Sequence, residues 1–373
     1  DQGTGLVTLA GTTTLEGDIS FVDRWNGQYS MQKLTGNGNM SLSRATSDSN
    51  ELWSFQIDDA TGYTGTLSLT KAQVTLGSSL GAGARISVGE GASVTMNDIV
   101  QVTFRASSSL SSSSSAHGGA IYGSSNSTIT LSNNGSVTFS GNMSSSCGGA
   151  IYTSGSLSIR NNESASFSRN AEVENGTYRL RSIYVGGSRN VISLSSAAGQ
   201  SIEFQDSLYI GNGNTFNLNE TYGETAQKGD ILFTGTTTVV DLYEVKGNVA
   251  GTAEEILASR TTEVYTMTNL FGGRLRVEEG AIYKGYGITA YSDSEAAVVV
   301  KNAELQHNGY DLTFHAGTTL ELAGNNTIIG NVQLQEASTL SFDGSSDMGV
   351  TRLTGNIAFS DGVEISLSKG GEW

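Results

Sequence analysis

Short runs in which apolar side chains alternate with Ser, Thr or Asn recur along the chain, and glycine- and asparagine-rich breaks separate them. Thr128-Ile129-Thr130-Leu131, Ser136 to Phe139, Ser156 to Ile159 and Ala165 to Phe167 show the pattern best. A period of two marks strands with one face buried. The breaks hold Asn-Gly, Ser-Gly and Gly-Gly pairs, which reach the positive φ of tight corners. No stretch long enough for a crossover helix lies between these strands. Upstream, Leu6 to Leu9, Thr14 to Phe21, Gly38 to Leu42, Gly65 to Leu69, Gln73 to Leu76, Arg85 to Val88 and Ser93 to Met96 read as strands. Downstream of Leu270 the rhythm returns in Arg274 to Val277, Ala296 to Val300, Asp311 to Phe314, Thr318 to Leu322, Asn331 to Leu334, Thr339 to Phe342, Asn356 to Phe359 and Glu364 to Leu367. Between Asn212 and Val264 it lapses. There Thr252 to Arg260 predicts a short helix, with Thr252 as cap, Glu254 and Glu255 in the first turn and Arg260 near the end.

A longer period overlies the alternation. Gly118-Gly119-Ala120-Ile121-Tyr122 returns 30 residues later as Gly148-Gly149-Ala150-Ile151-Tyr152. Phe139-Ser140-Gly141-Asn142 returns 28 residues later as Phe167-Ser168-Arg169-Asn170. Arg181-Ser182-Ile183-Tyr184 falls where a third GGAIY is due, and Phe104, Phe139, Phe167, Phe204 and Phe233 form one expected aromatic column. The first interval in that column is 35 residues, and Ser107 to Ser115 reads as a polar loop that lengthens it. A fixed period of this size means units that stack on one another. A coil of short strands with corner turns is an all-β parallel β-helix. In it the Phe stacks inside, the Asn bonds backbone at a corner, and the Gly pair sits where a Cβ does not fit. The expected division is 1–100, an N-terminal capping region with the first rungs, and 101–373, the repeat-bearing coil and its later rungs.

The GGAI motif alternating with FxxN, in Gly118 to Ile121, Phe139 to Asn142, Gly148 to Ile151 and Phe167 to Asn170, resembles the passenger domains of the polymorphic outer membrane proteins of chlamydiae, which are autotransporters. Gly199 to Asp206, Gly229 to Gly235 and Ala316 to Leu320 are similar to segments that follow the repeats in that family, and the likeness covers roughly residues 100–330. The resemblance implies a right-handed β-helix, display at the bacterial outer membrane or secretion, and adhesion to a host-cell protein or glycan. It also implies an outer-membrane barrel in the full-length protein. Neither that barrel nor a leader is expected within this stretch, which opens at Asp1-Gln2-Gly3 without a basic and apolar run and closes at Gly370-Gly371-Glu372-Trp373 without lipid-facing alternating strands; a trimmed passenger is the expectation.

The composition fits exposed parallel strands. Of 373 residues, 48 are Gly, none is Pro, and only 15% are charged. The net charge of −16 argues against nucleic acid and anionic membrane surfaces, which need a basic face. It is read as solubility rather than as a cation store. No apolar run approaches the length of a membrane-spanning helix. Self-association through open strand edges is a further expectation, restrained by the acidic surface.

Candidate chemistry is sparse. One cysteine, Cys147, precedes the second Gly pair, and His117 holds the matching place one repeat earlier; a small buried thiol is favoured over a Cys–His nucleophile, which lacks a third group. His307 and His315 flank an Asn-Gly turn, but no metal-ligand spacing accompanies them. Asp58-Asp59, Glu254-Glu255 and Glu278-Glu279 read as solvated charge rather than as the acid–base cluster of a polysaccharide lyase or hydrolase. Trp25, Trp53 and Tyr63 offer an aromatic ligand platform as the alternative to a cap. The expectation is therefore a non-catalytic protein without cofactor or metal. A candidate adhesive rim is formed by Ser140, Gly141 and Arg169, together with Asn142 and Asn170. A glycan-cleaving β-helix and a purely structural stalk are the alternatives.

Overall fold

The structure is a computed structural model, and it describes residues 6–23, 28–44, 53–70, 72–110, 116–174, 176–211, 213–221, 227–242, 266–291, 296–307, 310–343 and 349–368. Within them every regular element is a strand. The chain divides into two compact units, Asp1–Asn190 and Val191–Trp373.

The first unit is a three-faced parallel β-helix. One face stacks Ala72–Leu76, Ser93–Asn97, Thr128–Ser132 and the start of Ser156–Ser168 in unbroken parallel register. A second stacks Gln101–Arg105, Ser136–Ser140 and the end of Ser156–Ser168. The third runs through Ile19–Asp23, Met40–Arg44, Thr66–Thr70, Arg85–Val88, Ile121–Gly123, Ile151–Thr153 and the end of Thr177–Val185. The N-terminal stretch supplies rungs from Leu6 onward, since Leu6–Leu15, Gln28–Gly36 and Trp53–Tyr63 pair in turn. The serine-rich stretch is not all loop: Ser108–Ser109 pairs with Met143–Ser144, which pairs with Ala171–Glu174. Ala171–Glu174 then pairs antiparallel with Thr177–Leu180. Here Glu172 accepts the Gly148 amide at 2.9 Å and holds Arg181 at 3.0 Å, both side chains largely buried.

The second unit repeats the plan. Thr215–Leu218, Met267–Leu270, Ile288–Ala290, Leu312–Phe314, Val332–Leu334 and Ile357–Phe359 form one face. Asp230–Thr234, Arg274–Glu278, Ala297–Lys301, Thr319–Ala323, Thr339–Asp343 and Glu364–Ser368 form the next. Val239–Asp241, Ile282–Gly285, Glu304–His307, Asn326–Ile329 and Thr351–Thr354 form the third. The expected helix at Thr252 to Arg260 lies outside the described residues.

The period-two pattern explains the interior. Ser136–Ser140 alternates half-buried and buried, with Val137 and Phe139 inside. Phe139 lies between Phe104 and Phe167, with ring centroids 4.8 and 4.9 Å away and planes within 10°. Those distances match the ~4.8 Å step between parallel strands. In the second unit Phe204 stacks on Phe233 at 4.9 Å, and the column continues through Val277, Val300, Leu322 and Phe342.

Candidate functional site

The repeat motifs build corners and core. Gly118 and Gly148 have φ of +61° and +69°, and a Cβ on either would stand 2.1 Å from the carbonyl oxygen of Ile121 or Ile151. A Cβ on Gly119 would meet the Gly149 oxygen at 2.1 Å, and one on Gly149 the Ala171 nitrogen at 2.3 Å. Both glycines of the pair are thus required, the first for a left-handed turn back onto its own motif and the second for close packing of neighbouring coils. Ala120, Ile121, Ala150 and Ile151 are fully buried. The third copy, Arg181 to Tyr184, stays in register, with Ile183 opposite Ile151 and Tyr184 opposite Tyr152.

Asn142 and Asn170 are also fully buried, which moves them from the expected rim to the interior. The Asn142 side chain accepts the Ser107 amide at 2.9 Å and donates to the Phe104 carbonyl at 3.0 Å and Asn170 Oδ1 at 2.8 Å. Asn170 repeats this one coil later, donating to the Phe139 carbonyl at 3.0 Å. The preceding position is left-handed in each copy, at Ala106, Gly141 and Arg169. That corner aims the Asn inward and leaves Ser140, Gly141 and Arg169 at the surface, half-buried or exposed. A second ladder runs parallel to it: Asn134 accepts the Ile99 amide at 3.0 Å and donates to Asn162 Oδ1 at 2.9 Å. The sequence signal for it was the pair of Asn-Asn dipeptides, Asn133-Asn134 and Asn161-Asn162, 28 residues apart.

The candidate catalytic and metal groups do not converge. His117 stacks on Tyr152 at 4.3 Å, and burial pushes its pKa down. Gly118 donates its amide to the Cys147 carbonyl at 3.0 Å, so the two motifs do meet in register there. His307 is buried with Nδ1 at 2.8 Å from the Tyr310 carbonyl, whereas His315 stacks on Tyr291 at 5.9 Å. Asp59 is held to about 2 by the hydroxyl and amide of Thr61 and then by Lys33, at 3.0 Å. Glu278 binds Arg276 at 2.6 Å, and Glu279 faces Lys301 at 3.9 Å. No group of three or more His, Cys, Asp or Glu side chains gathers at metal-binding distance among the described residues. Of the suggested aromatic platform, Tyr63 is fully buried; it donates to the Thr66 carbonyl at 2.8 Å, and burial pushes its pKa up to about 12. Trp25 and the Trp53 side chain lie outside the described residues.

The outward side of the third face holds a feature that the repeats alone did not reveal. Its outward column reads Ser20, Ser41, Ser68 and Ser87, then Tyr122, Tyr152 and Tyr184. The tyrosine rings stack at 5.6 and 5.7 Å with planes within 15°. Where serine gives way to tyrosine, a cleft of about 520 Å³ opens, lined by Thr66, Ser68, Arg85, Ser87, Ser108, Ser109, Leu110, Ala116, His117 and Tyr122. Arg85 donates to the carbonyls of His117, Gly118 and Gly119 at 3.0–3.3 Å.

These features define a parallel β-helix protein whose repeated motif is committed to corners and core, with its lateral faces left to solvent. Residues 136–154 match the Chlamydia polymorphic membrane protein (Chlamydia_PMP) repeat. The match takes in Phe139 to Asn142 and the whole second GGAIY. No curated protein matches the chain, and no solved structure does.

Proposed function

We propose that the chain is a non-catalytic passenger displayed at the bacterial outer-membrane surface, and that it adheres to a host-cell protein or glycan. The observation that carries this reading is the match of residues 136–154 to the polymorphic membrane protein repeat, on a coil where that repeat makes rungs. A solenoid of this kind offers long lateral faces, and contact with a partner falls to outward side chains such as Ser140 and Arg169 rather than to the buried Asn142 and Asn170. The non-catalytic reading draws support from the acids of Asp59, Glu278 and Glu279, each engaged by its own neighbours. Beads coated with the protein are applied to epithelial cells and to mucin, and the same preparation is assayed for glycan cleavage. Adhesion without loss of polymer is the expected result. Loss of polymer would replace this reading with a lyase or hydrolase, and neither effect would leave a structural stalk.

A further inference from the structure

Apart from Tyr122, the cleft at the end of the tyrosine column is lined by residues outside the repeat motifs. Tyr152 stacks on one face of Tyr122, with planes 5° apart. On the other side the neighbouring outward residue is Ser87, followed by Ser68. Replacing a ring by a hydroxymethyl group leaves the second face of Tyr122 open over a shelf of hydroxyls. The volume of about 520 Å³ falls within the range of small-ligand sites, roughly 300–1,000 Å³. Eight of the ten lining side chains carry a polar group and none is acidic, in a chain of net charge −16.

Arg85 supplies the one fixed charge. Its Nε and Nη2 are engaged by three carbonyls, which lock the guanidinium in place. Its Nη1 has no acceptor and its charge no carboxylate partner among the described residues. With Nε and Nη2 spent on those carbonyls, the held guanidinium keeps Nη1 as a fixed, charged donor for an oxyanion. An aromatic face, a row of hydroxyls and one guanidinium match a sugar ring carrying an acid group: apolar C–H bonds on the ring, hydroxyls to Ser and Thr, the acid to Arg.

We propose that this cleft binds one acidic sugar unit, its ring on the open face of Tyr122, its hydroxyls at Thr66, Ser68 and Ser87, and its carboxylate or sulfate at Nη1 of Arg85. The proposal names the ligand class for the adhesive reading above, and rests on it only for its biological setting.

The test uses the purified chain in saturation-transfer NMR and calorimetry, with sialyllactose, a heparin-derived tetrasaccharide and lactose as probes. Sialyllactose presents a carboxylate alone, the heparin fragment presents sulfates together with uronate carboxylates, and lactose reports the neutral background. The expected result is binding of at least one acidic probe with lactose about tenfold weaker or more, the worth of a single charged hydrogen bond. Ser87→Asp places a carboxylate on the shelf, two residues from Arg85 on the same face, without touching the core. It is expected to lower acidic-probe affinity about tenfold or more by occupying Arg85, whereas Ser341→Asp, the same charge change on the second unit, leaves it unchanged. Tyr122→Leu is expected to weaken both acidic and neutral probes. Equal binding of lactose, equal effects of the two Asp substitutions, or no binding of any probe would each overturn the proposal. Bead adhesion that survives Ser87→Asp would retain the adhesin reading and reject the cleft as its contact. Acidic-sugar binding without bead adhesion would do the reverse.

Discussion

Asn142→Ala tests whether the FxxN asparagine is a structural corner or a contact. Its amide group makes three side-chain hydrogen bonds in a site with no solvent exposure. Truncation leaves the amide of Ser107, itself 1% exposed, without its acceptor. A stranded buried donor costs about 1–3 kcal/mol, and each lost bond about 1 kcal/mol net, so a loss of about 2–4 kcal/mol is expected after partial relaxation. Urea unfolding followed by circular dichroism measures the total. Hydrogen exchange at the Ser107 amide, accelerated at least about tenfold, localises it. Asn142→Asp keeps the volume and the acceptor for Ser107, but turns a second oxygen toward the Phe104 carbonyl and Asn170 Oδ1. That raises the carboxyl pKa of the folded state, so the variant is at least as unstable as Ala at neutral pH and recovers as pH falls through that pKa. Ser140→Ala, two residues away and pointing outward, should stay within about 0.5 kcal/mol of the parent. A loss below about 0.5 kcal/mol for Asn142→Ala, or equal losses at the two positions, would refute the corner assignment.

Gly148→Ala combines a left-handed φ with a Cβ 2.1 Å from the Ile151 oxygen, and should cost more than about 3 kcal/mol. Gly141→Ala, left-handed but with nothing within 4 Å, should cost only about 1–2 kcal/mol; equal urea midpoints would contradict the packing argument. Phe139→Ala removes the middle ring of the column and should cost about 3–5 kcal/mol, read by the same unfolding curves. Tyr63 has its pKa raised by burial from 10 to about 12, so its stabilising contribution is complete below pH ~10 and is lost as pH rises toward ~12. Spectrophotometric titration at alkaline pH should show late tyrosinate formation there, coupled to unfolding, and Tyr63→Phe should narrow that pH dependence.

The alternation of apolar and polar residues was enough to place most strands, and the recurrence of the Gly pairs and FxxN motifs was enough to point to a parallel coil. Both signals are local: each strand shows its buried face by a period of two, and each corner needs a particular residue. The long strands Gln28–Gly36 and Trp53–Tyr63 were not legible, because register shifts interrupt their pairing between Lys33 and Thr35 and blur the alternation. Ser108–Ser109 escaped notice because a two-residue strand has no period.

What only the tertiary structure decided is which side chains meet across coils. The step from one rung to the next is 19 residues from Leu67 to Ile86 but 52 from Leu218 to Leu270, since the length of chain between paired strands can vary without disturbing the stack. Sequence distance therefore does not give the neighbour. It could not show that Asn142 reaches back to Ser107 and Phe104, that Arg85 clasps the carbonyls of His117, Gly118 and Gly119, or that Tyr122 follows Ser87 in one outward column. The sequence determined the rung, because a rung is made by bonds and alternation within a few residues. The cleft was decided by the stack, because its walls come from coils whose order in space is set by the ladder and not by the spacing along the chain.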